Sequence, residues 1–435
     1  MRREQVAVIG LGFIGLPLSL SFAMKGTAVI GVDVNAALVA EINRGVTHHL
    51  ESYEGQGIAQ ILRKQLAEGR FRATSDYADA IPHCGSVVVT VGIPIREGQP
   101  DTSWLDSAIR SIGAHLQRGQ VVIIRSTVLP GTTERHIKPL LEEASGLAAG
   151  EDFHLAYCSE RIAEGKAFEE FETMPTLLAG LNEASARAAE EVIGRVTTKA
   201  PILRASDMKV VETSKVFENI SRDVNIAMAQ EFARFSEALG IDIYEVVELA
   251  NTHKRVKLLT PGPGVGGYCL PNALYYLLPR AQELGVDLPL LRTARKVNDA
   301  VPQLLVEKTL QALRTRGKDP ARSKAAVLGI AMKDYSSDDR ISPPLEVVRL
   351  LQEAGVQVAA FDPAVPTAYP FKVADFAEAI SGADAVLILA KQEGIPFGEI
   401  GQWISQAATD LFLLDTRHVY RSADVAALGA EYWGI

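Results

Sequence analysis

The sequence is poor in cysteine and in aromatic residues, and it has no excess of positive charge. Its 435 residues include three cysteines, 6% aromatic residues, and 44 Lys and Arg against 53 Asp and Glu, for a net charge of −9. Three cysteines are too few for a disulfide framework, which is typical of a protein in the reducing cytoplasm. Because a net acidic chain binds phosphate backbones poorly, we expect no nucleic-acid partner.

Metal-binding and membrane-spanning patterns are also missing. The eight histidines do not stand at zinc-ligand spacing from a cysteine or from one another, so we expect no metal site. One uncharged run, residues 6–24, follows Met1-Arg2-Arg3 and is similar to a signal peptide or a membrane span. Three glycines interrupt this run and no A-x-A cleavage site follows it, so we expect neither export nor a membrane.

The remaining composition is that of a globular protein. Hydrophobic residues make up 47% of the chain and charged residues 22%, which is too apolar for a disordered protein. At roughly 100–200 residues per domain, the length predicts two to four domains.

The glycines near the start form a dinucleotide-binding fingerprint. Gly10, Gly12 and Gly15 have G-x-G-x-x-G spacing directly after a strand-like apolar run, and a second apolar strand ends in Asp33. The glycines permit a tight turn, a close approach of the backbone to a pyrophosphate, and close packing of helix and strand. Asp33 would bind the adenosine ribose hydroxyls and repel a 2′-phosphate, so NAD is expected rather than NADP. The alternative is a turn that binds nothing.

Further apolar runs predict more strands of the same sheet. Strand-like segments are residues 86–91, 120–125, 155–158 and 176–180. Loops at the carboxyl ends of such strands, among them 91–94, 126–133 and 158–161, are where open α/β sheets bind ligands. The second loop is rich in hydroxyl groups, and Thr132 and Thr133 also suit the start of a helix. Both interpretations can hold at once.

A long helix is predicted over residues 207–239, where apolar residues recur at spacings of three and four without a proline. Lys215, Asn219 and Arg222 fall on one side of this helix. A polar stripe of this kind is usually a solvated face. The apolar residues around the stripe, Phe217 among them, indicate instead a mostly buried helix, in which a lysine and an asparagine are candidates for function.

A glycine-rich loop leads into Cys269. Residues 261–268 include four glycines and two prolines, which exclude regular structure and let main-chain N–H groups face a ligand. Such N–H dipoles stabilise a thiolate, which makes Cys269 a candidate nucleophile. A buried, inert thiol is the commoner fate of a cysteine, and this is the interpretation for Cys84 and Cys158.

The C-terminal part is a loose repeat of the first part. A strand at 325–330, a helix at 344–354 and a strand at 356–361 that ends in Asp362 form another βαβ-like unit. Because the glycine fingerprint is broken here, a nucleotide would be held differently, by Lys333, Arg340 and loop amides. Arg417 follows a further apolar strand at 411–414.

Taken together, these motifs resemble the UDP-glucose/GDP-mannose dehydrogenase family, and most of all its UDP-N-acetylhexosamine 6-dehydrogenase branch. The resemblance covers residues 10–15, 126–133, 160–165, 215–225, 261–269, 338–343 and 415–417. It implies an α/β fold with two Rossmann-like, doubly wound domains joined by a central helical domain. We expect an NAD-binding domain over 1–203, a helical dimerisation domain with the cysteine loop over 204–317, and a UDP-sugar-binding domain over 318–435.

The family implies a two-step oxidation of a sugar C6 alcohol to a carboxylate with two NAD⁺. The substrate would be a UDP-N-acetylhexosamine or a related nucleotide sugar. Cys269 would carry the thiohemiacetal and then the thioester, and Lys215 and Asn219 would stabilise the oxyanion. Glu160 and Thr127 match positions that organise proton transfer and the hydrolytic water. A homodimer through the central helices is also implied.

Two sets of binding residues follow from the motifs and the resemblance. The expected cofactor contacts are Gly10, Gly12, Phe13, Ile14, Gly15, Asp33, Val91, Pro94, Ser126, Thr127 and Arg340. The expected substrate contacts are Glu160, Arg161, Lys215, Asn219, Arg222, Arg255, Gly264, Gly266, Gly267, Lys333 and Arg417.

The sequence departs from the family next to Cys269. Members carry an aspartate four residues after the cysteine, whereas this chain has Asn272 and Ala273 at the third and fourth positions. Tyr268 replaces a common histidine, and Ile93 replaces a usual threonine. Three functions therefore stay open: a full four-electron dehydrogenase, a two-electron or redox-neutral enzyme that releases no acid, and a sugar-nucleotide-binding homologue without catalysis.

Overall fold

Two sheets organise the chain, which a computed structural model describes over residues 4–163 and 165–435. The first unit comprises Met1–Glu218 and Tyr275–Val286, and the second comprises Asn219–Leu274 and Asp287–Ile435. The Met1-Arg2-Arg3 segment and Glu164 of the expected motifs lie outside the described residues. The domain boundaries after residues 203 and 317 stay a prediction.

The first unit is an alternation of strands and helices. Its elements are β1 (Val6–Ile9), α1 (Gly15–Met24), β2 (Val29–Val32), α2 (Ala36–Asn43), β3 (Ser52–Tyr53), β4 (Gln56–Gly57), α3 (Ile58–Ala67), β5 (Phe71–Thr74), α4 (Tyr77–Ala80), β6 (Ser86–Val89), β7 (Ile95–Arg96), β8 (Gln99–Pro100), α5 (Ser103–Gly113), β9 (Val121–Ile124), α6 (Lys138–Ser145), β10 (His154–Cys158), α7 (Ala167–Thr173), β11 (Thr176–Gly180), α8 (Glu183–Ile193) and β12 (Ile202–Arg204). A π-helical turn, Thr133–Ile137, leads directly into α6.

The strands of this unit form a sheet in the order β12-β11-β10-β9-β6-β1-β2-β5. β10 and β11 pair antiparallel, and the other neighbours run parallel. β1, β2, β6 and β9 are buried along their whole length, as expected for parallel strands with both faces covered. The residues that follow these four strands, Gly10, Asp33, Thr90 and Arg125, therefore lie at one edge of the sheet.

The second unit contains a smaller sheet and long helices. Its elements include α10 (Ile243–Ala250), α12 (Pro289–Thr315), β13 (Lys324–Leu328), α13 (Pro343–Glu353), β14 (Gln357–Phe361), α14 (Phe376–Ile380), β15 (Ala385–Ile388), α15 (Ile400–Trp403), β16 (Phe412–Asp415), α16 (Ser422–Ala426) and β17 (Glu431–Gly434). The sheet has the order β14-β13-β15-β16-β17, is parallel throughout, and carries an apolar core on each face. Two helices, α9 (Met208–Leu239) and α11 (Cys269–Glu283), have residues in both units.

The expected fold class is confirmed, and the predicted strands and the long helix match observed elements to within about two residues at each end. Across the described ranges, no helix is both long and apolar enough to cross a membrane. The same ranges contain no group of three or more His, Cys, Asp and Glu side chains placed to hold a metal ion.

Candidate functional site

The glycine-rich turn between β1 and α1 brings two stretches of backbone into contact. A Cβ atom on Gly15 would lie 1.7 Å from the carbonyl oxygen of Gly10, so no other residue fits there. Thr90 locks the same turn, because its hydroxyl donates to the carbonyl oxygens of Ile9 and Gly10 at 2.9 Å. A Cβ atom on Gly12, in contrast, would meet no atom within 4 Å. The turn is thus packed on its inner side and open at Gly12, as a pyrophosphate cradle requires.

Charge and hydrogen-bonding capacity at this turn also suit NAD. Asp33 accepts main-chain N–H groups from Leu11 at 2.8 Å and from Asn35 at 2.9 Å, which fixes its carboxylate beside the turn. Its oxygens keep lone pairs for ribose hydroxyls. Helix α1 starts without a side-chain cap at Ile14, so its first N–H groups point toward the open turn. The cradle residues therefore fit the expected cofactor.

Glu160 is paired with a buried arginine that the sequence did not suggest. Arg125 donates from Nε to Oε2 of Glu160 at 2.7 Å, and Oε1 of Glu160 accepts the N–H of Ile162 at 2.7 Å. Burial acts to lower the pKa of Arg125, but the Glu160 carboxylate and neighbouring Cys158 raise it above its ordinary value. Arg125 directly precedes Ser126, and Glu160 follows β10, so the pair joins the two predicted loop segments at the ends of β9 and β10.

The three cysteine thiols differ in their exposure to solvent. Cys84 and Cys158 are buried, and burial raises the pKa of Cys84 to about 12 and that of Cys158 to about 11. Both are therefore protonated at neutral pH, as predicted for inert core cysteines. Cys269 is exposed and is the first residue of α11. The partial positive charge of a helix N-terminus favours negative charge that develops on its sulfur.

A second unpredicted residue, Glu212, organises the loop that contains Thr127. Its carboxylate is fully buried and accepts N–H groups from Gly131 at 2.5 Å and Thr133 at 2.9 Å. Burial raises the pKa of Glu212, and the hydrogen bonds from this loop oppose that effect. Glu212 stands three residues before Lys215 on α9, so one carboxylate ties the Ser126–Thr133 loop to the turn that carries Lys215. The sequence did contain one signal for Glu212, namely an acidic residue within a helix that is predicted to be mostly buried.

Lys215 is 9% exposed, and it makes no hydrogen bond or ion pair with a residue that the structure describes. A lysine whose side chain is mostly buried, and whose ammonium group has no anionic partner, suits a ligand contact. Arg161 differs, because it pairs with Glu218 and donates from Nη1 to the carbonyl oxygen of Pro175 at 2.7 Å. Arg222 is exposed, although it shares a helix face with Lys215. Phe217, expected to be buried, is 55% exposed.

In the second unit, the glycine-rich loop packs closely against the segment that contains Ile341 and Pro343. A Cβ atom on Gly266 would lie 2.5 Å from the carbonyl oxygen of Ile341 and 2.6 Å from Cδ of Pro343. Gly267 donates its N–H to that same Ile341 oxygen at 3.3 Å. Gln230 of α9, a third residue that the sequence did not suggest, donates to the carbonyl oxygen of Gly262 at 3.0 Å. These contacts fix the loop, and the expected ligand contacts of its glycines stay a prediction.

The turn of Cys269 is lined by two buried amides. Nδ2 of Asn219 lies 3.4 Å from the main-chain oxygen of Cys269, and Asn219 is 6% exposed. Asn272 is also 6% exposed, and its Nδ2 atom has no hydrogen-bond partner. Ala273, where the family carries an aspartate, is 1% exposed. The position is therefore apolar and shielded.

The predicted cationic contacts of the second unit differ in their surroundings. Arg340 forms a bidentate pair with Asp338, at 2.7 and 2.5 Å, and lies 4.9 Å from the ring centroid of Tyr268. Arg417 pairs with Asp334 at 2.5 Å. The side chains of Lys333 and Arg255 are exposed. A phosphate that bound Arg340 or Arg417 would have to share each guanidinium with its carboxylate.

Asp362 shows how the internal repeat has diverged. Its Oδ2 accepts the N–H of Ile330 at 2.8 Å, as Oδ2 of Asp33 accepts that of Leu11. Asp362 is 1% exposed, however, and its oxygens also accept N–H groups of Ala331, Ala364 and Val365 and the amide of Gln392. The Asp362 carboxylate is therefore used within the fold, and the expectation that this part binds a nucleotide differently stays a prediction.

Three family descriptions match the chain in succession. They are the UDP-glucose/GDP-mannose dehydrogenase family NAD-binding domain over residues 4–199, the central domain of that family over 209–300, and its UDP-binding domain over 326–422.

Individual proteins are similar along most of their length. The UDP-N-acetyl-D-mannosamine dehydrogenase of Pyrococcus horikoshii is 37% identical over 384 residues, with 88% of each chain covered. The UDP-N-acetyl-D-glucosamine 6-dehydrogenase of Pseudomonas aeruginosa is 34% identical, with 83% of each covered. A solved structure of UDP-D-ManNAc dehydrogenase from Pyrococcus horikoshii superposes with a TM-score of 0.90 at 34% identity and covers 99% of both chains.

Proposed function

Because the chain belongs to the UDP-glucose/GDP-mannose dehydrogenase family, we propose that it oxidises the C6 hydroxyl of a UDP-N-acetylhexosamine to the uronate with NAD⁺. The observation that carries the proposal is the placement of the thiols: Cys269 is exposed at the start of α11, while Cys84 and Cys158 are buried. Similar proteins that act on UDP-N-acetylmannosamine and UDP-N-acetylglucosamine support this substrate class. A reduced Cys269 requires a reducing compartment, so we place the reaction in the cytoplasm.

The reaction uses the thiol in the second half. The alcohol is first oxidised to the aldehyde, and the Cys269 thiolate then adds to the aldehyde carbon, so that a C–S bond forms and the oxygen takes a proton. Oxidation of this thiohemiacetal gives a thioester. Water then adds to the acyl carbon, the C–S bond breaks, and the thiolate and the carboxylate are released. The sum is one alcohol, two NAD⁺ and one water converted to one carboxylate, two NADH and three protons.

Side chains of the chain would bind and stabilise the reacting oxygen. Lys215, most of whose side chain is buried, would neutralise the oxyanion, and the second N–H of Asn219 would donate to it. Thr127 would position the water. Glu160, both of whose oxygens accept hydrogen bonds from the protein, suits proton relay less than substrate positioning.

NAD⁺ accepts a hydride in each oxidation when it is bound. Gly10, Gly12 and Gly15 would hold its pyrophosphate at the start of α1, and Asp33 would bind its adenosine ribose. The nucleotide of the substrate would be bound by the second unit, through Arg417 and Lys333.

A specific observation favours a second candidate function. Ala273 is buried and apolar where family members carry a carboxylate, so no group at this position can activate water. A two-electron oxidation that stops before acid release is therefore the alternative.

Counting NADH against sugar separates these two functions. The protein is incubated with NAD⁺ and UDP-N-acetylglucosamine, UDP-N-acetylmannosamine or UDP-N-acetylgalactosamine, and the product is identified by mass spectrometry. Two NADH per sugar and a uronate support the proposal, whereas one NADH and an aldehyde or ketone support the alternative. Cys269→Ser should abolish the uronate and leave NAD⁺ binding intact, and Cys84→Ala, which removes a buried thiol, should do neither. Undiminished uronate from Cys269→Ser contradicts the thioester route.

We further propose that the chain forms a homodimer through α9 and α10. Large apolar side chains on these helices are exposed, including Phe235 at 65%, Leu239 at 58% and Leu249 at 64%. A surface of this kind on a central helix is typical of an interface between copies.

A further inference from the structure

Asn272 buries a hydrogen-bond donor that the protein does not use. The residue is 6% exposed, and its Nδ2 atom lacks a partner. Leaving such a group unsatisfied is destabilising, and most buried polar groups are therefore paired. An orphaned donor of this kind points to an acceptor that arrives from outside the protein.

The position of Asn272 identifies where that acceptor would be. It stands three residues after Cys269 on α11, and residues at this spacing share one face of a helix, with Cβ atoms about 5–6 Å apart. Because side chains of a helix tilt toward its N-terminus, we expect the Asn272 side chain to lean over the turn that carries Cys269.

Two other buried amides of the second unit use their N–H groups in contacts within the protein. Nδ2 of Asn219 contacts the carbonyl oxygen of Cys269, and Nδ2 of Asn298 donates to Asp223 at 2.8 Å. Both amides thereby stabilise the fold. Asn272 differs from them, because its donor is buried and remains available.

The chemistry of an amide restricts what Asn272 can do. A carboxamide does not take up a proton at neutral pH, so it cannot serve as the base that activates water. Its N–H can hold an oxygen on which charge develops, as donors of an oxyanion hole do. The shielded Ala273 beside it offers no competing polar group.

We propose that Asn272 is a catalytic donor that binds the oxygen on the carbon attached to Cys269. This role rests on the proposed function. When the thiolate adds to the aldehyde, the π electron pair of the C=O bond moves onto this oxygen, which the Asn272 N–H stabilises until it is protonated. When water adds to the thioester, the same oxygen again receives the pair. The pair then returns, the C–S bond breaks, and the proton from water passes to solvent.

Single-turnover measurements test this role. In Asn272→Leu the donor is lost at similar volume, and the first NADH should form at a rate within about 3-fold of wild type. Formation of the second NADH and of the uronate should slow by roughly 100- to 1000-fold. Calorimetric binding of NAD⁺ should not change. Gln282→Leu, which removes an exposed amide from the last turn of the same helix, is the matched control and should behave as wild type.

The variant Asn272→Asp tests whether the side chain at this position acts as a hydrogen-bond donor or as a base. It keeps the shape of the side chain but replaces the donor with an acceptor, so it should be as slow as Asn272→Leu. Faster release of uronate than in wild type would show that the position activates water, and it would overturn the proposal. A second NADH phase that is unchanged in both variants would also overturn it.

An acylation assay keeps the test independent of the sugar. p-Nitrophenyl acetate transfers its acetyl group to Cys269 with release of p-nitrophenolate, and mass spectrometry follows the loss of the acetyl group to water. Asn272→Leu should slow both steps by roughly 100-fold or more relative to wild type. If wild type forms no NADH with any nucleotide sugar, the proposed function fails, while this assay still decides the role of Asn272. Equal rates in wild type and variant overturn that role.

Discussion

The guanidinium of Arg125 donates from Nε to Oε2 of Glu160 at a distance of 2.7 Å, and both side chains are nearly inaccessible, at 4% and 10% exposure. The pair joins the ends of β9 and β10 and fixes the residues that precede Ser126. Each charge is compensated chiefly by the other, so neither residue can be changed alone without cost.

We expect Arg125→Met to lower the free energy of unfolding by about 3–5 kcal/mol, because it leaves the Glu160 carboxylate buried without its counter-charge. The double variant Arg125→Met/Glu160→Leu removes both charges and should regain most of that loss. Urea unfolding followed by tryptophan fluorescence measures both. A double variant that is no more stable than Arg125→Met would contradict this account of the pair.

Glu212→Gln should loosen the loop that contains Thr127. A glutamine can accept from only one of the N–H groups of Gly131 and Thr133, and its own NH₂ group would face the other. We expect a loss of about 1–3 kcal/mol in stability and a rise in KM for NAD⁺, measured by initial rates. Glu134→Gln changes an exposed glutamate on the same segment and is the control. Equal KM values in the two variants would show that Glu212 does not position the cofactor loop.

The stability of the first unit should depend on Glu172 in acid. Burial acts to raise the pKa of this carboxyl, but hydrogen bonds from Lys199, Lys25 and Tyr53 lower it from 4.5 to about 2. A group whose pKa is lower in the folded state stabilises the protein above its unfolded pKa, and this contribution is lost as pH falls.

Glu172→Gln should therefore destabilise the protein at neutral pH, and the difference from wild type should shrink between about pH 4.5 and about pH 2. Urea unfolding of both proteins at a series of pH values measures the difference. A gap that stays constant from neutral pH into this range would rule out the ionised form of Glu172 as its source.

The apolar surface of α9 and α10 predicts an assembly. Phe235→Glu and Leu249→Glu should each shift the protein from dimer to monomer in light scattering coupled to gel filtration, since a charge would be buried in the interface. Leu428→Glu places a charge on an apolar residue that is 41% exposed after α16 and should leave the mass unchanged. A monomeric wild type would contradict the interface.

Local motifs of the site could be predicted from the sequence, whereas its long-range contacts could not. Gly10, Gly15 and Asp33 were accessible because their roles follow from spacing within one βαβ unit. Glu212 and Gly131 lie 81 residues apart and Gln230 and Gly262 lie 32 apart, and no spacing rule links such pairs.

Burial was predicted only in part. Helical periodicity correctly grouped Lys215, Asn219 and Arg222 on one face, but only the first two are buried. The period of a helix gives the direction of a side chain, while burial depends on what packs against each turn. The pairing of Arg417 with Asp334, 83 residues apart, is another contact that no spacing rule provides.

The two helix starts at the edge of the first sheet differ in a way that bears on how a dinucleotide is oriented. Every helix start attracts anions through its unpaired N–H groups. At the other start, the N–H groups of Gly131 and Thr133 already donate to the carboxylate of Glu212, which is part of the chain itself. The α1 terminus, uncapped at Ile14, has no such competitor. We expect a phosphate at this edge to be directed to the start of α1, because the Glu212 carboxylate already accepts the N–H groups at the other start and would repel a second anion.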